Sequence, residues 1–307
     1  MRVVFDTRPA SDPRGIGRYT RSLLVALREE AERRGGQLVE SARPRRGDVF
    51  HAPWIDGAPL RPRCPTVVTL HDVVPLKRPG QYLRTGLRFR MRYLAVERAT
   101  RVIVPTRVVA DEATSLLSVD PARVEVIGEA PDPAFRPRDA EAVADARERL
   151  RLPEDYLLWV GGLRHPDPRK RVAALAEAPR RLPLVLVGDP GAWARELPDV
   201  ILTGAIDDDE LAAVYSGARA LVLASDDEGF GLPTVEALAC GTPVVASDVP
   251  AVREVLGDRA TLVDADDLAE LVRCAEEATR PAPDPPAWTW ADAARATWDA
   301  YERALAG

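Results

Sequence analysis

The chain has 307 residues, enough for about two domains of roughly 100–200 residues each, with apolar residues in both halves. No run approaches the roughly 18 apolar residues of a membrane span, and residues 1–6, a short apolar run ending at Asp6, are expected to be a strand rather than a secretory leader. Three cysteines (Cys64, Cys240, Cys274) without C-x-x-C spacing argue against a disulfide framework or a cysteine zinc site, and three histidines leave little for a histidine-built one. The expected compartment is the reducing cytoplasm. Charge divides along the chain: residues 1–140 carry 25 basic and 17 acidic side chains, a net of +8, while residues 141–307 carry 17 and 31, a net of −14, which together make the −6 of the whole.

In chain order, apolar runs predict buried strands at 3–5, 67–70, 102–104 and 124–127, with helical patterns at 18–33, 82–100 and 107–117 between them. In the second half strands are predicted at 157–160, 184–187, 200–202, 220–223 and 244–246, and helices at 208–216 and 266–279. Near-continuous apolar strands separated by helices indicate parallel sheets covered on both faces, so the class is α/β. Prolines at 131, 133 and 137 mark a domain boundary, and the proline-rich stretch 280–286 precedes a last helix at 290–305. His71 stands at a strand end, followed by Asp72 and Pro75, and reads as a site residue or a core histidine. His51, at another strand end near Trp54 and Asp56, reads as an acceptor contact or a core residue.

The most informative stretch is EGFGLPTVE at 228–236. It follows the strand at 220–223, and Pro233 sits where a helix begins. The glycines therefore occupy a turn between a strand's carboxyl end and a helix N-terminus, where doubly wound sheets bind ligands and where N–H groups and the helix dipole favour phosphate. Gly229 and Gly231 leave room for close approach. Glu228 and Glu236 both suit sugar hydroxyls as acceptors. A second glycine turn, GGLRHPDPRKR at 161–171, follows the strand at 157–160, with Arg164 and Lys170 on its flanks as cations for a diphosphate. Asp207-Asp208-Asp209 reads as a helix start rather than a metal site.

The stretch EGFGLPTVEALACGTPVVAS at 228–247 resembles the signature of the retaining glycosyltransferases of family 4, including its E-x7-E spacing from Glu228 to Glu236. VGGLRHPDPRKRV at 160–172, VPAVREVLGDRATLVDADD at 249–267, GIGRY at 15–19 and TLHDVVPL at 69–76 resemble further motifs of that family. The resemblance implies a GT-B fold: two Rossmann-like parallel-sheet domains facing a central cleft. An acceptor-side domain at 1–138 and a nucleotide-sugar domain at 139–286 are then followed by a helical segment, 287–307, that crosses back to the first domain. It further implies that Arg164 and Lys170 grip the donor diphosphate. Glu228 then contacts the transferred sugar with backbone help from Gly229, Phe230, Gly231 and Leu232. Glu236 binds the ribose, and Gly204 and Ile206 hold the base. His71 lies near the reacting sugar, and Gly15 and Gly17 form a loop that closes on the donor phosphates.

The implied reaction keeps the anomeric configuration and uses neither metal nor cofactor beyond a nucleotide-diphosphate sugar as co-substrate; GIGRY and HDVVPL are similar to members that use GDP-mannose. The implied acceptor is a hydroxyl of a glycan, a lipid-linked carrier or a small molecule, with no nucleic acid involved. A GT-B epimerase and a catalytically inactive nucleotide-sugar-binding scaffold are the competing readings. The chain departs from the family pattern at Gly128-Glu129-Ala130-Pro131, where Asn-Gly is frequent, and at Asp226-Asp227, where an aromatic is common. Arg84, Arg88 and Arg92 form a basic stripe on the predicted helix 82–100, beside an apolar stripe of Leu83, Leu87, Met91 and Leu94. That stripe is either a solvated helix face or a contact to an anionic acceptor or the inner membrane surface.

Overall fold

The structure, a computed structural model, describes residues 1–12, 15–43, 46–82 and 86–307. It contains two compact units, Met1–Glu129 with Trp288–Gly307, and Ala130–Ala287.

In the first unit six strands form a parallel sheet: β1 (Arg2–Asp6), β2 (Gln37–Ser41), β3 (Val49–Ala52), β4 (Thr66–Thr69), β5 (Arg101–Val104) and β6 (Val124–Val126). Their order is β2-β1-β3-β4-β5-β6. Connections are made by α1 (Gly15–Arg33), the short α2 (Val74–Lys77) and α3 (Pro79–Tyr82), α4 (Gly86–Glu97) and α5 (Arg107–Leu116). The central strands are VFHA and TVVT, buried along their whole length. Runs with no polar alternation are what a sheet covered on both faces requires. Direction along the sheet reverses between β1 and β3.

The second unit repeats the architecture with β7 (Leu157–Val160), β8 (Leu184–Val187), β9 (Val200–Gly204), β10 (Ala220–Leu223), β11 (Val244–Ser247) and β12 (Thr261–Val263), ordered β12-β11-β10-β7-β8-β9 and parallel. Its helices are α6 (Ala140–Leu150), α7 (Val172–Glu177), α8 (Ala192–Arg195), α9 (Asp208–Gly217), α10 (Leu232–Ala239), α11 (Pro250–Leu256) and α12 (Leu268–Glu277). Trp159, Leu163, Leu175, Leu186, Val222 and Leu271 lie at the centre of its core. Here the order reverses between β7 and β10. A crevice at the carboxyl ends of the strands flanking such a reversal is the usual ligand site of doubly wound sheets.

The last helix, α13 (Trp290–Ala306), packs in the first unit against α1. A capping box starts it: Thr289 accepts from the Asp292 amide, and Asp292 accepts from Thr289. Trp298 is buried, and a Cβ on Gly36 would meet its ring at 2.4 Å, so the α1–β2 turn is cut to fit the indole. Arg34 bridges to Asp299 at 2.6 Å and Glu302 at 3.1 Å, and Arg303 to Glu125 at 2.7 Å. Before α13, Arg280 pins the proline-rich run to the second unit through the carbonyls of Tyr215, Ala218 and Gly241.

Three strands are absent from the predicted runs: the edge strands β2 (QLVES) and β12 (TLV), half-exposed or short with no apolar run, and the central β3 (VFHA), only four residues long with a histidine in it. Of the helix predicted at 82–100, α4 covers Gly86–Glu97; residues 83–85, with Leu83 and Arg84, lie outside the described residues, as do the side chains of Leu87 and Arg88. Arg92, the remaining member of the basic stripe, is ion-paired with Asp56 at 2.5 Å. Among the described residues no helix is long and apolar enough to cross a membrane.

Candidate functional site

In the second unit the loops after β7 and β10 flank the sheet reversal. The β7 loop runs through Arg164 to a short 3-10 turn, Pro168–Lys170, started by Asp167, whose carboxylate accepts from the Arg169 amide. Arg171 follows with φ +52, a left-handed conformation that turns the chain into α7. The β10 loop leads to Gly231, whose φ of +88 caps α10; a side chain there would be strained, while Thr234 closes the first turn by donating to the Gly231 carbonyl at 2.7 Å. The Asp226 amide donates to the Arg169 carbonyl at 3.0 Å, tying the two loops together.

That tie brings Lys170 and Glu228 into contact. Lys170 Nζ lies 2.5 Å from Glu228 Oε1, with the Glu228 side chain 6% exposed and that of Lys170 22%. Burial pushes the Glu228 carboxyl up, but the positive charges of Lys170 and Arg169 and the hydrogen bond from Lys170 outweigh it, so its pKa falls below the ordinary value. Glu228 is therefore an ionised, nearly buried carboxylate, and its partner lysine carries two more N–H donors. Arg164 is held separately: its exposed guanidinium makes two contacts to Asp189, at 2.5 and 3.0 Å, in the loop after β8.

Gly229, Phe230, Gly231 and Leu232 are buried around the start of α10, and Glu236 lies one turn further along it, 1% exposed. Glu236 accepts from the Tyr215 hydroxyl at 3.1 Å, and Tyr215, fully buried at the end of α9, is wedged edge-on against Phe135. Gly204, with φ +80, ends the edge strand β9, and Ile206 lies two residues beyond it; both are partly exposed. Sequence reasoning missed Tyr215 and Asp189, since neither stands in a motif and each meets its partner only through the fold.

In the first unit Gly15 and Gly17 open α1, and a Cβ on Gly17 would meet the Asp12 carbonyl oxygen at 1.8 Å, so only glycine fits that packing. Beyond β4, His71 has Nδ1 3.1 Å from Glu129 Oε1 and Nε2 3.0 Å from the Pro53 carbonyl oxygen, with Tyr19 edge-on against its ring. His51 sits within β3, fully buried, with Nδ1 2.6 Å from the Tyr301 hydroxyl and Nε2 2.9 Å from Thr69 Oγ1. Burial pushes its pKa down to about 3, so it stays neutral as a core residue, and the acceptor contact considered for it is not what this burial allows. At the β1–β3 reversal, Asp6 is held by Arg8 at 2.6 Å and by Trp54 Nε1 at 3.1 Å. Among the described residues no group of three or more His, Cys, Asp or Glu side chains is arranged to hold a metal ion.

Residues 154–279 match the family described as glycosyl transferases group 1, and residues 34–135 match glycosyltransferase family 4. The chain is 32% identical over 316 residues to a D-inositol 3-phosphate glycosyltransferase of Nocardioides sp., covering 84% of this chain and 68% of that protein. It is 29% identical over 238 residues to the serotype-specific mannosyltransferase WbdA of Escherichia coli, covering 69% of this chain but only 29% of WbdA, so it spans less than a third of that relative's length. Sucrose-phosphate synthase from Thermosynechococcus elongatus superposes with a TM-score of 0.69 at 22% identity, covering 100% of this chain and 94% of that one, which places the two sheets in a GT-B fold. With both of its halves matched and a relative 32% identical across more than two thirds of its length, the chain belongs to the family 4 glycosyltransferases.

Proposed function

We propose that this protein is a retaining hexosyltransferase that moves a hexose from a nucleotide-diphosphate sugar to an acceptor hydroxyl, with the donor held by the second unit. The observation that carries the reading is the Lys170–Glu228 pair at the β7–β10 reversal, beside the N-terminus of α10. A cation, a buried ionised carboxylate and a glycine-capped helix start are what a sugar diphosphate needs at one point: charge for phosphate and acceptors for hydroxyls. In this reading Lys170 and Arg164 take the diphosphate and Glu228 the sugar hydroxyls. Glu236 takes the ribose, and Gly204 and Ile206 flank the base. Gly15, Gly17 and His71, in the first unit, are assigned to the donor by the family resemblance alone.

The mannosyltransferase relative supports mannose as the transferred hexose, and the donor proposed on the GIGRY and HDVVPL motifs is GDP-mannose. A glycan, a lipid-linked carrier or a small phosphorylated polyol is the acceptor class, the last supported by the inositol-phosphate relative. Arg92, engaged with Asp56, weakens the case for a basic stripe docked on an anionic membrane. The reaction runs in the cytoplasm without cofactor or metal, the charge on the leaving phosphates being met by Lys170 and Arg164.

Transfer is therefore expected to persist in excess EDTA and to keep the donor's anomeric configuration, as read by proton NMR of the product. An inverted product, or complete loss of turnover in EDTA, contradicts the reading. A second expectation concerns Tyr215. Its hydroxyl orients Glu236, and a typical intramolecular hydrogen bond is worth about 1 kcal/mol. Tyr215→Phe should then weaken binding of bare nucleoside diphosphate about fivefold while leaving kcat nearly unchanged, a split that calorimetry and steady-state kinetics separate.

A further inference from the structure

His71 and Glu129 form a titratable pair in the first unit with both ring nitrogens engaged, and Glu129 occupies a position at which the chain departs from its family's pattern. Both ring nitrogens of His71 face oxygen. The Pro53 carbonyl only accepts, so Nε2 carries a hydrogen and donates to it at 3.0 Å. A neutral imidazole would then point the Nδ1 lone pair at Glu129 Oε1, 3.1 Å away. An ionised carboxylate is also only an acceptor, so two lone pairs would oppose each other in a site where the His71 side chain is 17% exposed and that of Glu129 7%. A second proton on the ring removes that conflict and satisfies both nitrogens.

We propose that Glu129 is a positioning residue that holds His71 as an imidazolium at neutral pH, so that His71 serves as a fixed cation and not as a general base. The surrounding groups agree. Burial alone lowers the pKa of His71, but the hydrogen bond and negative charge of Glu129, the Pro53 carbonyl and the neighbouring Asp72 raise it above its ordinary 6.5. Tyr19, on α1, is kept protonated by burial and brings no negative charge to the ring. His51, on β3, is neutral and does not compete for the proton. Because the folded pKa is raised, the stability the pair contributes is complete below about pH 6.5 and is lost as pH rises through the folded value.

The consequence for turnover rests on the glycosyl-transfer reading, whereas the protonation state does not, so the decisive experiment reads the ring directly. With three histidines in the chain, ¹⁵N spectra of histidine-labelled protein can be assigned by His165→Gln and His71→Gln controls and followed from pH 5 to 10. Wild type is expected to show both His71 nitrogens protonated at pH 7. In Glu129→Gln, whose amide can donate to a bare Nδ1, the His71 midpoint should fall by about 1–3 pH units. The high-pH limb of kcat against pH should shift downward with it. A His71 that is singly protonated at pH 7 in wild type, or that titrates at the same pH in both proteins, overturns the proposal. If Glu129→Gln does not fold, the wild-type spectrum at pH 7 still decides it. If no sugar nucleotide is turned over, the glycosyl-transfer reading fails while the spectra stand.

Discussion

Lys170→Ala is expected to weaken binding of free nucleoside diphosphate by roughly 10–150-fold, the loss of one charge-assisted hydrogen bond of about 1.5–3 kcal/mol. The same substitution strips Glu228 of its partner. Breaking one side of a buried ion pair typically costs about 3–5 kcal/mol, because the remaining charge stays in a poorly solvated site, and Glu228 is almost fully enclosed. The variant should therefore melt earlier, and its Glu228 carboxyl should titrate at higher pH than in wild type. Lys170→Ala combined with Glu228→Gln removes the stranded charge and should recover much of the stability without recovering affinity. Calorimetry on the folded variants separates the two effects. An unchanged Kd in Lys170→Ala contradicts the diphosphate assignment.

Glu228→Gln is expected to lower kcat by roughly 10²–10³, the range seen when one preorganised polar contact to the reacting group is removed, while affinity for the bare nucleoside diphosphate changes little. Glutamine keeps the shape and one acceptor oxygen but loses the charge that roughly doubles the strength of hydrogen bonds from sugar hydroxyls. The pH profile carries a second signature. The Glu228 pKa is held below the ordinary 4.5 despite burial, mainly by Lys170 and Arg169. Its ionised form, and the stability it brings, is present above pH 4.5 and is lost only as pH falls through the lower folded value. The acid limb attributable to this group should thus lie below pH 4.5 in wild type and disappear in Glu228→Gln. Retention of wild-type kcat contradicts a contact between Glu228 and the transferred sugar.

The sheets were legible because LLWV, LVLV, ALVL and VVAS are buried on both faces and so carry no polar alternation to confuse with a helix. The edge strands β2 and β12 escaped because neither carries such a run, and the central β3 because VFHA is only four residues long and includes a histidine. At the site, the glycine turns announced themselves by their neighbours: a strand before, and Pro233 or Val172 opening a helix after. The pairings did not. Lys170 and Glu228 are 58 residues apart, and what joins them is the adjacency of β7 and β10, a property of strand order that no local window contains. The contacts of Glu236 with Tyr215 and of His71 with Glu129 belong to the same class. The role of His51 was decided by Tyr301, 250 residues away on α13.

The central claim is that Lys170 and Glu228 form the working end of a sugar-nucleotide site, and the release of nucleoside diphosphate tests it most directly. Wild type and Glu228→Gln would each be incubated in EDTA with GDP-, UDP-, ADP- and dTDP-hexoses, with and without a panel of polyol and glycan acceptors, and the product diphosphate measured. The account predicts that wild type releases diphosphate from at least one donor, faster with an acceptor present, and that Glu228→Gln binds that donor but releases diphosphate at least about 100-fold more slowly. Donors that bind tightly to the wild type and yet release no diphosphate under any condition would make the protein an inactive sugar-nucleotide binder and contradict the account.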